Sequence, residues 1–162
     1  MPLIKNGAVA ENLFTDVVNG GPLPDGPAVV SLTRFLAERE TLLARNAPLG
    51  VRLKSDESPT ALGEDVARLS LIVLEFPKFR DGRAFSWARM LRTRLGFHGE
   101  IRASGDFLYD QLAYMTRVGI DAFEVPEKIT PEILRRALGE MRFVYQPSVD
   151  GKKTIRQLRA GS

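Results

Sequence analysis

Hydrophobic and polar positions change period several times along this chain, and each change marks an element. Residues 69–76 (LSLIVLEF) are almost continuously apolar, the pattern of a strand buried on both faces, and Pro77 stops it. Three other stretches alternate. Val51 and Leu53 stand against Arg52 and Lys54, Ile101 and Ala103 against Glu100 and Arg102, and Ile120 and Ala122 against Asp121 and Phe123. A period of two predicts strands with one face on an apolar layer and the other on something more polar. Between them the period becomes helical. Leu62, Val66 and Leu69 predict a helix over 60–68. Residues 85–95 predict a second, with Ser86 near its start and Gly96 past its end. Residues 106–118 predict a third, ended by Gly119. Thr130, Pro131 and Glu132 supply an N-cap, a first-turn proline and a first-turn acid for a helix running to about Met141, and a last strand follows over 142–146. Upstream, Ser31 is an N-cap after Val29 and Val30. Leu32, Phe35, Leu36, Leu42 and Leu43 then line one or two short helices.

Strands separated by single helices predict βαβ units, and right-handed crossovers make the sheet parallel. The expected fold is α/β: a (βα)n parallel sheet of about five strands and four helices over residues 28–149. The alternating strands fit a half-barrel with helices outside and a polar concave face, or a dimer in which two concave faces meet. A doubly wound sheet fits less well, and short edge strands would alternate too. Residues 1–27 read as a small N-terminal extension with an Asn6-Gly7 hairpin signal and a turn-rich linker over 20–27. Residues 150–162 read as a basic tail.

Composition narrows the chemistry. With 162 residues and 44% hydrophobic usage the chain can bury one core without staples. It has no cysteine, which removes disulfides, thiolate metal sites, iron–sulfur ligation and thiol nucleophiles. Its one histidine, His98, excludes a two-histidine metal site in one chain, and no metal site is expected. Residues 1–10 hold no long apolar run and no membrane span is visible, so the expected location is the cytoplasm. A net charge of +3 is too mild for a dedicated nucleic-acid binder; that reading rests only on the tail residues Lys152, Lys153, Arg156 and Arg159.

In an open α/β sheet, ligands gather beyond the carboxyl ends of the strands. That rim would collect two candidate groups. Lys78, Arg80, Asp81 and Arg83 follow a strand and precede a helix, where cationic side chains and free N–H groups favour a phosphate, sulfite or carboxylate. The glycine spacing is not that of a P-loop. Arg102, Asp106, Asp110 and Gln111 form the second group. The two aspartates share a helix face and fit either an acid/base or metal pair or, more commonly, a cap with a surface salt bridge. Gln111, within the stripe of Phe107, Leu108, Leu112, Met115 and Val118, needs hydrogen-bond partners. Arg89 and Arg92 fall together opposite Ala88, Leu91 and Leu95 and read as a solvated face that a partner protein could use. His98 lies in a loop, and Trp87 and Tyr114 read as packing residues.

The dense stretch between Phe76 and Phe123 resembles the bacterial domain-of-unknown-function family 934. The matching residues are Phe76-Pro77, Phe79, Asp81-Gly82-Arg83, Ser86, Ala88-Arg89, Leu91-Arg92 and Gly96. They continue through Gly99-Glu100, Arg102-Ala103, Gly105-Asp106, Asp110-Gln111, Met115, Arg117, Gly119 and Asp121-Ala122-Phe123. The likeness spans roughly residues 45–145. Ile120 stands where a Phe is common and Val118 where a Cys is frequent, so no thiol chemistry is implied there. This family is similar to proteins labelled oxidoreductases of sulfite reduction.

The resemblance implies assimilatory sulfate and sulfite reduction, and with it sulfite reductase or a neighbouring sulfur-assimilation enzyme as partner. The first expectation is an auxiliary or assembly partner with an anion-binding rim. The alternative is an enzyme that binds a small anion or cofactor at the carboxyl ends of the strands. An oxidoreductase of this composition would need an organic cofactor or metal to carry electrons, and the sequence leaves the cofactor unknown.

Overall fold

A computed structural model describes residues 3–5, 8–17, 21–76, 82–105, 111–124 and 136. Eight strands form one sheet: β1 (Leu3–Lys5), β2 (Ala8–Ala10), β3 (Thr15–Asp16), β4 (Ala28–Ser31), β5 (Leu49–Leu53), β6 (Leu71–Phe76), β7 (Glu100–Gly105) and β8 (Ala122–Glu124). Their spatial order is β2-β1-β8-β7-β6-β5-β4-β3. From β3 to β8 every neighbour is parallel and the order follows the chain. The hairpin β1–β2 then pairs antiparallel with β8. The sheet curls into a half-barrel. The expected α/β class holds, but the sheet is mixed and has more strands than the five expected.

Three of the additional strands come from the first 27 residues, where β1 and β2 form a hairpin whose flanks, Lys5 and Ala8, face each other across the Asn-Gly pair. The fourth is β4, whose four residues are too few to show alternation and run directly into a helix. Ser31 ends β4 and caps α1 (Leu32–Ala37), its Oγ accepting from Arg34 N at 3.1 Å. The short α2 (Arg39–Leu43) follows. The helix expected over 60–68 is present as a 3-10 helix, Pro59–Arg68, and it breaks at Gly63, whose φ of 56° and ψ of −138° no helix contains. The helix α3 (Arg83–Thr93) matches its sequence signal to within two residues. Of the helix expected over 106–118, residues 106–110 lie outside the described residues, and α4 (Leu112–Arg117) has Gln111 at its N-cap and is followed by Gly119 at φ 111°. The helix expected after Thr130, the strand over 142–146 and the tail lie outside the described residues, apart from Arg136.

The described helices pack against one face of the sheet. Ile4, Val30, Val51, Leu53, Ile72, Leu74, Phe76, Ile101, Ala103 and Phe123 point toward them and join Phe35, Leu42, Leu62, Val66, Ala88, Leu91, Leu112 and Met115 in one core. Burying each large side chain contributes roughly 1.5–3 kcal/mol, so this layer holds the fold together. Within β8 the inward residue is Phe123, not Ala122 as the alternation implied. No described helix is long and apolar enough to cross a membrane.

Candidate functional site

The opposite, concave face carries what alternation left polar. Register aligns Arg52, Val73, Arg102 and Ala122 across β5 to β8, with Lys5 opposite Ala122 on β1. Arg102 is 3% exposed because a segment from far upstream covers it. Asn12 Oδ1 accepts from Arg102 Nη1 at 3.1 Å, and the Phe14 ring centre lies 5.9 Å from the guanidinium. Phe14 also packs against Val29, Leu71 and Val73, the apolar part of this face.

Charges beneath that segment form a chain. Lys5 Nζ lies 2.8 Å from Glu100 Oε1, and Glu100 Oε2 accepts from Arg102 Nη2 at 2.8 Å and Nε at 3.0 Å. Arg102 Nη1 lies 3.6 Å from Glu124 Oε1, which Arg52 Nη2 approaches at 3.5 Å. Arg52 also binds Asp16, and Ser104 Oγ donates to Glu124 Oε2 at 3.0 Å. Three cations meet three carboxylates, so the network is neutral. This network, covered at Arg102 by Asn12 and Phe14, joins residues of β1, β3, β5, β7 and β8, and each of its three cations already has a carboxylate partner. Away from it, Arg39 binds Asp65. Hydrogen bonding to that guanidinium holds the Asp65 carboxyl below the usual carboxylate range and raises the pKa of Arg39.

Of the expected rim residues, Lys78, Arg80, Asp81, Asp106 and Asp110 lie outside the described residues. Arg83 begins α3 and donates from Nη2 to Ser55 Oγ at 3.2 Å, while Trp87 Nε1 donates to Ser55 O at 2.8 Å, so α3 is pinned to the loop after β5. Trp87 thus has a polar anchor besides its packing. Arg102 is held on the concave face by Glu100, Glu124 and Asn12, so the two arginines do not share these partners. Gln111 is half-buried at the N-cap of α4. His98 is exposed.

Arg92 departs from the solvated face expected of it. Its side chain is 9% exposed and donates to Phe97 O, Gly99 O, Gly119 O and Asp121 Oδ2. Its helical position suggested solvent, but three of its acceptors are loop carbonyls, which leave no mark on sequence pattern.

The remaining arginines of this helix behave differently. Residues 82–99 contain Arg83, Arg89, Arg92 and Arg94 and no acidic residue. Arg89 and Arg94 are exposed and meet no partner among the described residues. Both line a groove of about 610 Å³ between α3 and Tyr114, together with Gly82, Phe85, Ser86, Met90 and Thr93. Tyr114 is 41% exposed, its ring 5.0 Å from that of Phe85 and 5.8 Å from the Arg117 guanidinium. Positions 86, 89, 90, 93 and 94 recur at helical spacing and so share one face. The sequence signal was there, in a run of arginines without a compensating acid, but Tyr114 as the facing wall was not visible in it. Among the described residues no cluster of acids and histidine suits a metal ion.

No curated protein and no solved structure matches this chain. Over residues 50–156 it matches the family described as a bacterial protein of unknown function (DUF934). That span exceeds half the chain and contains the whole stretch from Phe76 to Phe123 on which the resemblance rests, so the chain belongs to the bacterial family DUF934.

Proposed function

We propose that this chain is an auxiliary protein of sulfite reduction that works by binding, with the arginine face of α3 as its working surface. One observation carries the choice of surface: Arg89 and Arg94 meet no partner among the described residues and stand beside a groove of about 610 Å³, in a segment, 82–99, without acids. The concave face is the competing location, and its cations are already matched by Glu100, Glu124 and Asp16. Two exposed guanidiniums with no carboxylate partner among the described residues attract anionic groups and speed encounter with an acidic surface. The link to sulfite reduction comes from the family resemblance. Affinity-tagged protein expressed in the native host is expected to co-purify a sulfite-reduction enzyme, and a deletion strain is expected to grow poorly with sulfate as sole sulfur source. Normal growth together with no such enzyme in the eluate would reject the proposal.

A second reading places an enzyme at the strand-end rim, acting on a small anion or with a cofactor. It is supported by Arg83 at the N-terminus of an eleven-residue helix, anchored beside the end of β5, and by the Ser104–Glu124 pair near the ends of β7 and β8. Thermal melting in sulfite, sulfate, phosphate and nucleotides checks it. The reading expects stabilisation by at least one of these that disappears in Arg83→Ala; stabilisation equal in both proteins counts against the rim.

A further inference from the structure

The groove on α3 is much larger than a bare inorganic anion needs. At roughly 30 Å³ for each water, about 610 Å³ holds on the order of twenty waters, whereas sulfate or phosphate displaces only a few. The volume falls instead in the range of about 300–1,000 Å³ typical of organic-ligand pockets.

Its lining is divided. Phe85, Met90 and Tyr114 supply an apolar side, with Tyr114 exposed enough to be covered by a ligand. Arg89 and Arg94 supply two guanidiniums, and Ser86 adds a hydroxyl with no partner among the described residues. Thr93 is excluded as a donor, because its Oγ1 donates to Arg89 O at 2.8 Å. Pairing elsewhere makes the contrast plain. Arg34, Arg39, Arg52, Arg92 and Arg102 each bind a carboxylate, and Arg45 and Arg68 each bind a backbone carbonyl. Guanidinium forks match the oxygens of a tetrahedral oxyanion, and Arg89 and Arg94 line the same groove.

We infer that this groove binds an organic phosphate or sulfate monoester. The oxyanion meets Arg89, Arg94 and Ser86, and the apolar body covers Phe85, Met90 and Tyr114. The inference rests on reading α3 as an anion-binding surface, and it is independent of which protein co-purifies.

Titration calorimetry at low ionic strength tests it with phenyl phosphate, phenyl sulfate, inorganic phosphate and phenol. At least one ester is expected to bind saturably and at least tenfold more tightly than inorganic phosphate or phenol; the tighter ester names the headgroup. R89A/R94A, at exposed positions and checked for folding by far-ultraviolet circular dichroism, is expected to weaken ester binding at least tenfold. Met90→Gln is expected to weaken the ester and leave inorganic phosphate unchanged. Two results overturn the inference: esters that bind no better than inorganic phosphate, or ester affinity that is the same in R89A/R94A as in the wild type. Equal binding of ester and inorganic phosphate, both lost in R89A/R94A, would remove the organic body and leave α3 as an anion-binding surface.

Discussion

Arg92→Ala is expected to lower stability by about 3–5 kcal/mol, the usual cost of removing one partner of a buried charge pair. The guanidinium joins two loops to the helix that carries it. Nη1 donates to Phe97 O at 2.9 Å and Gly99 O at 2.8 Å, in the turn before β7. Nη2 donates to Gly119 O at 2.9 Å and Asp121 Oδ2 at 2.6 Å, in the turn before β8, and Nε reaches Gly119 O at 3.2 Å. Asp121 Oδ2 also accepts from Ile101 N at 3.0 Å, so the carboxylate is tied into β7. Alanine would leave a half-buried carboxylate and three carbonyls without these donors. Against a total of about 5–15 kcal/mol for a domain, the loss is large. Arg92→Lys keeps the charge but not the planar fork that reaches four acceptors, so it is expected to recover less than half. Urea denaturation checks both. An R92A unfolding free energy within about 0.5 kcal/mol of wild type would contradict the account of this residue.

Arg102→Ala is the second substitution with a large expected effect. Glu100 and Glu124 lie on neighbouring strands, and Arg102 stands between them with its side chain almost wholly buried. Without it, both carboxylates lose the cation that lies between them. Lys5 still binds Glu100, and Ser104 and Arg52 still hold Glu124, which moderates the loss. The expected destabilisation is therefore about 3 kcal/mol, at the lower end for a broken buried pair. Adding Glu100→Gln to R102A is expected to return part of it, since that removes the uncompensated charge. The double-mutant cycle isolates the coupling. Asn12 and Phe14 lose an anchor as well, so amide exchange over residues 11–17 is expected to accelerate in R102A. Unchanged exchange there, with stability near wild type, would show that the charge chain does not hold this segment in place.

These two arginines also show how far sequence reading reaches. Alternation placed Glu100 and Arg102 on the polar face of a strand correctly, and it identified a half-barrel as one fit to three strands of this kind. It could not show that Asn12 and Phe14, about ninety residues earlier, close that face over Arg102. Strands of two to four residues carry too few positions to display a period, so β1 to β4 escaped as members of the sheet, although the Asn-Gly hairpin signal held. Leu62, Val66 and Leu69 made the helix over 60–68 legible, but its 3-10 form and its break at Gly63 show only in the backbone. Arg92 was misplaced because carbonyl acceptors from distant loops have no sequence signature. The arginine-rich, acid-free run along α3 was legible from the start, and the groove adds the apolar wall that gives it a ligand-sized shape.

The central claim concerns sidedness: binding belongs to α3 and not to the concave face. Quantitative mass spectrometry of co-purified proteins from the native host compares wild type, R89A/R94A and Lys5→Ala. Lys5 is the most accessible cation of the concave network that the structure describes, 44% exposed. The account predicts that a sulfite-reduction enzyme is enriched by wild type and Lys5→Ala alike and falls at least tenfold with R89A/R94A. Undiminished enrichment with R89A/R94A, or loss with Lys5→Ala instead, would contradict it.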